Sequence, residues 1–242
     1  MKVYLTEMHS IRDALRTMYM SKRSWTPEKE EWLKDLCDNN TDRYGRPLPD
    51  CSEEFKKECA KVFKWGQKHI TMLRFLDMSI IVEGLHRGGT DDVDAHSYRY
   101  SNRIIRSSTR LADYSVDEMS DWYRGKILPY DDVFDGLKVD MPDSFIKDGV
   151  KYVRAVNGYI REDLVNNKDV KRGLYMLSIP MTFTFKVNVI EWAHVYRERG
   201  TKEGGAHGTA APEVQEMAES LTDQLCEWYP WITREWLLGI CN

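Results

Sequence analysis

The sequence has no long hydrophobic run. No stretch of its 242 residues approaches the roughly 18 consecutive apolar residues of a membrane-crossing helix. The first residues, MKVYLTE, lack the apolar segment of a signal peptide. We therefore expect a protein that does not associate with a membrane and that resides in the cytoplasm.

Cysteine is scarce and irregularly spaced. The five cysteines are an odd number, and none of them forms a Cys-x-x-Cys pair. This pattern argues against a disulfide framework and against a zinc ribbon. We expect reduced thiols.

An excess of one charge is also missing. The chain carries 35 Lys and Arg residues against 39 Asp and Glu residues, a formal net charge of -4. Proteins that coat DNA or RNA are usually basic. The balance predicts no nucleic-acid polymer as a partner, although a local basic cluster can still hold a phosphate.

Several common nucleotide and catalytic motifs are absent. The sequence contains no Gly-x-Gly-x-x-Gly, no P-loop and no Gly-x-Ser-x-Gly.

Three aspartates at 91, 92 and 94 lie between His86 and His96, and carboxylates with imidazoles can bind a divalent ion. Their spacing fits neither an EF-hand nor an aspartate-rich magnesium motif, which favours a solvated acidic loop over a metal site.

The composition does support a hydrophobic core. Hydrophobic residues make up 42% and aromatic residues 12% of the chain, enough for a single domain over residues 1–242. The patterns predict an α+β protein. Strands are expected at 1–7 and 175–185, helices at 11–20, 52–65, 150–164, 187–199 and 211–228, and loops at 38–51, 88–95 and 200–208.

Particular residues support these elements. Ser52 is a suitable N-cap. Val153, Val156, Ile160 and Leu164 recur at helical spacing. A buried helical stripe is predicted at Val214, Met217, Ala218, Leu221 and Leu225. Residues 70–82 fit a strand or a helix, 97–111 a helix or an extended arm, and 125–149 an irregular segment. Pro180 argues against a central strand position.

Potential phosphate ligands concentrate between Leu85 and Tyr100, where the sequence reads LHRGGTDDVDAHSYRY. Arginine forks suit phosphate oxygens, and hydroxyls with loop amides complete such a cradle. Arg103, Arg106 and Arg110 follow at helical spacing and would form one basic stripe, which is typical of a solvated helix face.

This segment resembles the signature of the flavin-dependent thymidylate synthases. That signature reads Arg-His-Arg, two variable residues, Ser, a variable residue, Asn-Glu, a variable residue, Ser, a variable residue, Arg-Tyr. The matching residues are His86, Arg87, Thr90, Ser97, Arg99 and Tyr100. Leu85 replaces the first arginine, the Asn-Glu pair is blurred, and the spacing is two residues longer.

Further matches follow in the family's order from about residue 66 to residue 230. Lys68-His69 resembles the family's upstream Glu-His segment. Arg172 lies 16 residues before Asn188, and Asn188 is followed by His194 and Arg199 at the family's offsets. Residues 210–215, AAPEVQ, resemble Ala-Gln-x-Glu-Ile. On an unbroken α-helix, Asn188 and Arg199 would lie within about 20° of one face, whereas His194 would lie on another side.

The resemblance implies a flavin-dependent thymidylate synthase-like fold with a central mixed or antiparallel sheet flanked by helices. In that family, reduced FAD passes a carbon from methylenetetrahydrofolate to C5 of dUMP and NADPH reduces the flavin. The family is homotetrameric, with active sites at subunit interfaces, and uses no cysteine nucleophile.

The resemblance also implies residue roles. FAD contacts carried over by position are His69, His86, Arg87, Thr90, Asn188 and His194. Nucleotide contacts are Ser97, Tyr98, Arg99, Arg172 and Arg199. Of these, Ser97, Arg99 and Arg199 are the expected catalytic residues.

Departures from the family pattern leave alternatives open. Ile190 replaces an arginine, Ala211 replaces a glutamine, and the loop after Arg199 is about six residues longer than usual. Losing polar contacts to one ligand costs about 1–3 kcal/mol each. The acceptor can therefore be dUMP or another pyrimidine nucleotide such as UMP or dCMP, and a non-catalytic nucleotide-binding homologue is a third reading.

Overall fold

The computed structural model describes residues 1–9, 11–94, 103–106, 142–155, 158–164, 166, 179–201 and 212–240. The helices span Ile11–Ser21 (α1), Pro27–Asp38 (α2), Glu53–Gly66 (α3), Arg87–Asp94 (α4), Val189–Val195 (α5), Pro212–Trp228 (α6) and Arg234–Gly239 (α7). Short 3-10 helices cover Ile70–Phe75 and Glu162–Leu164, and a π-helical turn covers Tyr196–Gly200.

The strands of the described ranges form two antiparallel sheets. They span Lys2–His9 (β1), Asp77–His86 (β2), Arg103–Arg106 (β3), Ser144–Lys147 (β4), Val150–Ala155 (β5), Gly158–Arg161 (β6) and Pro180–Asn188 (β7). The larger sheet has the order β1-β2-β7-β3, and the smaller has the order β4-β5-β6. The predicted α+β class is confirmed, with an antiparallel central sheet.

One face of the larger sheet carries the core. Successive strand residues point to opposite faces, so Met78, Ile80 and Val82 of β2 are buried, whereas Thr182 and Thr184 of β7 are exposed on the other face. Helix α6 packs on the buried face of β1 and β2. The predicted stripe of α6 is confirmed: Val214, Met217, Ala218, Leu221 and Leu225 are all fully buried.

Helix α6 also covers the outer edge of β1. The side chain of Gln224 accepts a hydrogen bond from the Leu5 amide at 2.8 Å and donates one to the Val3 carbonyl at 2.9 Å. Two backbone groups that an edge strand would otherwise leave unpaired are therefore satisfied within the chain.

A second part of the core joins the first helices to the end of the chain. Phe63 of α3 lies against Tyr229, Trp231 and Trp236, with ring centroids 5.5–6.1 Å apart. The indole Nε1 of Trp236 donates to the Phe63 carbonyl at 2.9 Å. This aromatic cluster fixes α3 against the C-terminal helices.

The four described cysteines, Cys37, Cys51, Cys59 and Cys226, are free thiols. Burial raises the pKa of the Cys37 thiol to about 12 and also raises the pKa of Cys59. No helix in the described ranges is long and apolar enough to cross a bilayer.

Most elements that the sequence predicts are confirmed with small changes of boundary. Ser52 caps α3 by accepting from the Phe55 amide at 3.2 Å, as its position indicates. The ambiguous segment 70–82 contains a 3-10 helix followed by most of β2. The expectation that Pro180 excludes a central strand is wrong: β7 lies inside the sheet, and Pro180 is its first residue, where a missing amide hydrogen is tolerated.

Four further predictions of secondary structure are wrong. Residues 125–149 are not irregular throughout, because Ser144–Lys147 form β4 of the smaller sheet. Residues 150–164 are not a helix but contain β5, β6 and a 3-10 turn, because Asp148 and Gly149 have positive φ values of 50° and 77° and form a two-residue hairpin turn. Residues 103–106 form a strand paired with β7, so Arg103 and Arg106 do not lie on the predicted helical stripe, and Arg110 lies outside the described ranges. The acidic segment expected as a loop at 88–95 contains most of α4, because packing of its buried face outweighs the low helix propensity of two glycines.

Candidate functional site

The site begins where β2 runs directly into α4. Gly84 has a φ of +84°, and the pairing of β2 with β7 shifts between Glu83 and Leu85. This bulge adds one residue to the strand, so Leu85 and His86 are both buried although they are neighbours. The bulge therefore determines where the first matching residues of the family signature lie.

Alanine at position 84 should destabilise the protein. A side chain at this φ costs about 1–2 kcal/mol, and relaxing the strain would move Leu85 and His86. Urea unfolding should show a loss of that size for Gly84→Ala. Gly239→Ala is the control, because a Cβ there meets nothing within 4 Å and the residue lies in α7. Equal stability of both variants and the unchanged protein would contradict this account of the bulge.

His86 is held by Glu213, the second residue of α6. The ring Nδ1 of His86 is hydrogen-bonded to Glu213 Oε2, and the His86 backbone amide donates to the same oxygen at 3.2 Å. The histidine side chain is 6% exposed and the glutamate side chain is fully buried. The start of α4 and the start of α6 are therefore joined by a polar pair inside the core.

Gly89 leaves the space that this pair needs. A Cβ at position 89 would lie 2.6 Å from Cε1 of His86 and 2.9 Å from Cγ2 of Val214. Real Cβ atoms do not approach so closely, and the imidazole is held by its hydrogen bond. The second glycine of α4 is thus required by the contact between α4 and α6.

Two other predicted flavin contacts lie on α4. Arg87 is half-buried, and its backbone amide donates to the Ile179 carbonyl at 3.0 Å. Thr90 is fully buried, and its hydroxyl donates to the His86 carbonyl at 3.3 Å. In this chain the Thr90 hydroxyl supports the strand-to-helix junction, and a direct contact with flavin stays a prediction.

Arginines neutralise the aspartates of α4. Arg106 of β3 forms ion pairs with Asp91 and Asp94, and Arg199 Nη1 lies 3.9 Å from Asp92 Oδ2. The three aspartate side chains are still 41–49% exposed, so they are solvated, although they lie on a helix and not in a loop. Within the described ranges, no group of three or more His, Cys, Asp or Glu side chains is arranged to hold a metal ion.

Arg199 reaches α4 from the π-helical turn that follows α5. Its side chain is only 17% exposed. The assumption of an unbroken α-helix between Asn188 and Arg199 is wrong, because Asn188 is the N-cap outside α5 and residues 196–200 have π geometry. Their predicted alignment on one helix face does not follow.

Asn188 caps α5. Its side-chain oxygen accepts from the Glu191 amide at 3.0 Å, and its Nδ2 donates to Glu191 Oε2 at 3.3 Å. His194 lies further along α5 and is half-buried. His69 is exposed at the start of the 3-10 helix and packs edge-on against Trp65, with ring centroids 4.9 Å apart.

The structure divides the predicted flavin contacts between the two ends of the sheet. Asp77, at the start of β2, pairs with Asn188, whereas His86, at its end, pairs with Pro180. Nine residue steps along β2 correspond to about 30 Å. Helix α5 and the π turn run from Asn188 back toward α4. Arg199 therefore lies at the same end of the sheet as His86 and Arg87.

Several predicted residues lie outside the described ranges. These are Ser97, Tyr98, Arg99, Arg172, Ala210 and Ala211. The described site also contains residues to which sequence reasoning gave no role: Glu213 as partner of His86, and Arg106 as partner of α4. Only the family-like spacing of residues 210–215 gave a signal for Glu213.

The chain as a whole has a fold known from nucleotide-methylating proteins. No family model matches the sequence, and no curated protein matches it. Solved structures do match. A flavin-dependent thymidylate synthase, ThyX, from Helicobacter pylori with FAD and dUMP aligns over 98% of this chain and 99% of its own, with a TM-score of 0.57 and 14% identity.

A second solved structure is the UMP/dUMP methylase PolB from Streptomyces cacaoi, bound with 5-Br dUMP. It aligns over 97% of this chain and 93% of its own, with a TM-score of 0.55 and 10% identity. The protein thus has the fold of the flavin-dependent thymidylate synthases and of PolB, as the resemblance predicts.

Proposed function

We propose that the protein is an enzyme that methylates C5 of a pyrimidine nucleotide with the help of FAD, and that dUMP is its first expected acceptor. One observation carries the proposal. His86 and Arg87 lie at a strand-to-helix junction in a chain that aligns over 98% of its length with a ThyX complexed with FAD and dUMP. Methylenetetrahydrofolate as carbon donor and NADPH as reductant belong to the same proposal.

The residues of the junction suit an anionic, acceptor-rich cofactor such as FAD. Arg87 is the first residue of α4, where the helix dipole favours negative charge, and its guanidinium can form paired bonds to oxygen atoms. When bound, FAD would supply the carbon-transfer and redox chemistry. The protein's own residues orient the reactants and stabilise developing charge.

On the nucleotide side, Arg199 is the described residue with the best placement. Its half-buried guanidinium lies beside α4, where a phosphate or a pyrimidine oxygen would gain a charge-assisted hydrogen bond. Ser97, Tyr98, Arg99 and Arg172 complete the proposed nucleotide contacts.

We also propose that active sites form between subunits of a homotetramer. The separation of about 30 Å between the His86 end and the Asn188 end of the sheet supports this proposal. A second subunit can bring its Asn188 end to the His86 end of the first.

The acceptor is the least constrained part of the proposal. Leu85 and Ile190, which replace family arginines, are 0% and 7% exposed and belong to the core. An unpaired arginine there would be costly to bury. These two positions therefore offer no cation to a ligand. The similarity to PolB, a UMP/dUMP methylase, is what favours UMP as the second candidate acceptor.

The test combines a flavin spectrum with turnover. We expect the purified protein to bind FAD, and we expect dUMP to alter the flavin absorbance. Release of tritium from C5 should then be compared for dUMP, UMP and dCMP with methylenetetrahydrofolate and NADPH present. Release from dUMP supports the main proposal, and preferential release from UMP or dCMP supports the alternative.

The contrary outcome is equally clear. If protein incubated with excess FAD retains no bound flavin and does not oxidise NADPH, flavin-dependent methylation is excluded. Retained affinity for dUMP in such a sample would instead indicate a nucleotide-binding protein without catalysis.

A further inference from the structure

Glu213 is a buried acid with an unusual pair of partners. Its Oε2 accepts a hydrogen bond from the backbone amide of His86, at 3.2 Å, and is also hydrogen-bonded to the ring Nδ1 of the same residue. The two residues are 127 positions apart in sequence. One carboxylate oxygen therefore fixes both the main chain and the ring of a single histidine.

The surroundings of Glu213 favour its ionised form. A carboxylate without partners is expensive to bury, whereas one that accepts N–H bonds is stabilised. Glu213 also lies in the first turn of the 17-residue helix α6, where the dipole favours negative charge. Its position beside Val214 on the buried side of α6 is thus compatible with a negative charge.

This bond sets the protonation pattern of the imidazole. If Glu213 is ionised, its carboxylate can only accept, and His86 Nδ1 then carries the proton. In the neutral ring, Nε2 is then the acceptor, and in the imidazolium it is a second donor. The close approach of Gly89 to Cε1 limits rotation of the ring away from this arrangement.

We propose that Glu213 is a positioning residue that fixes the tautomer and orientation of the His86 ring, which the proposed function places beside FAD. The effect on FAD rests on the proposed function, whereas the hold on the ring rests on the contacts of His86 with Glu213 and Gly89. As a positioning residue, Glu213 would act on the ligand only through His86.

The tautomer can be measured without any ligand. Two-bond 15N–1H correlation spectra of 15N-histidine-labelled protein distinguish protonated from unprotonated ring nitrogens. The chain has six histidines, and the signal that disappears in His86→Gln belongs to His86. We expect Nδ1 of His86 to be protonated. In Glu213→Ala, the neutral ring should revert to the Nε2–H tautomer that imidazole favours in water.

The second readout is FAD affinity. Glu213→Gln preserves shape but removes the charge, and we expect FAD binding to weaken about 10-fold, the lower range for loss of a partner that orients a ligand. Glu216→Gln is the matched control because Glu216 is exposed on the same helix. It should bind FAD as the unchanged protein does.

The outcomes separate the two ideas. An unprotonated Nδ1 in the unchanged protein, or the same tautomer in Glu213→Ala, overturns the positioning role. If Glu213→Ala does not fold, Glu213→Asp is the substitute variant, because its side chain is one methylene shorter and withdraws the carboxylate oxygen from His86. The His86 signal must then shift. An unchanged signal would show that the positioning role is wrong. A third outcome is a protein with a protonated His86 Nδ1 that binds no FAD. This result overturns the proposed function and the role of Glu213 toward flavin. It still establishes the hydrogen-bonded pair of His86 and Glu213.

Discussion

Replacing Arg199 with alanine should lower kcat/KM for the nucleotide by about 100-fold, the effect expected when one charged donor is removed from a site that stabilises developing charge. The side chain is 17% exposed and lies beside Asp92 of α4. A nucleotide bound there would compete with Asp92 for the guanidinium. Steady-state kinetics with the acceptor identified by tritium release would measure the loss.

Arg197→Ala is the matched control for this variant. Arg197 lies on the same π turn, but its side chain is 40% exposed and its Nε is 4.0 Å from Glu198. Exposed ion pairs contribute little, so activity should stay within about threefold of the unchanged protein. Equal losses in both variants, or full activity of Arg199→Ala, would remove Arg199 from the site.

Replacing Gly45 with alanine should cost about 4 kcal/mol of stability, the largest effect that we expect from a single added methyl group. Gly45 has a φ of +78°, and a Cβ there would lie 1.7 Å from the Met8 carbonyl oxygen. The positive φ contributes about 1 kcal/mol or more, and relief of the clash must break neighbouring hydrogen bonds at about 1 kcal/mol each.

Those hydrogen bonds leave the loop little freedom to move. The Gly45 amide donates to the Asp42 carbonyl at 3.0 Å, and the hydroxyl of Tyr229 donates to the Gly45 carbonyl at 2.6 Å. Met8 in turn donates to the Tyr44 carbonyl at 2.8 Å. A shift of Gly45 away from β1 therefore disturbs contacts on both sides of the loop.

Gly149→Ala separates the clash from the backbone strain. Gly149 has nearly the same φ, +77°, but a Cβ there meets nothing within 4 Å. Its substitution should cost only about 1 kcal/mol. Thermal unfolding should then show a loss of about 10 °C or more for Gly45→Ala and a few degrees for Gly149→Ala. Similar losses in both variants would disprove the steric argument.

The sequence predicts those parts of the fold that local signals specify. Ser52 identifies the start of α3 because its hydroxyl satisfies a backbone amide within the same turn. The stripe from Val214 to Leu225 identifies α6 because one face of a long helix repeats its spacing several times. Such signals need no knowledge of distant residues.

Short windows are harder to interpret. In residues 150–164, Val153, Val156 and Ile160 fit helical spacing, yet Val153 lies in β5 and Ile160 lies in β6. The Asp148-Gly149 pair carried the better signal, because both residues accept positive φ. Helix α4 has no comparable local signal. Its two glycines favour a loop, and the close contact of Gly89 with His86 is seen only in the folded structure.

In the candidate site, too, the sequence predicts some features and not others. The order of family-like residues predicts the fold and the importance of His86 and Arg87. It cannot show that Glu213 holds His86, because that contact joins residues 127 positions apart. Nor does it show that Asn188 and His86 lie at opposite ends of one sheet, because this follows from the strand register.

The bonds from Gln224 to Val3 and Leu5 have a consequence for assembly. A strand of another chain that added to the middle of β1 would need the same amide and carbonyl groups, and Gln224 already occupies them. The sheet therefore cannot be continued there from one molecule into the next without displacing α6. The β1 edge is thus protected against the edge-to-edge pairing that leads to aggregation.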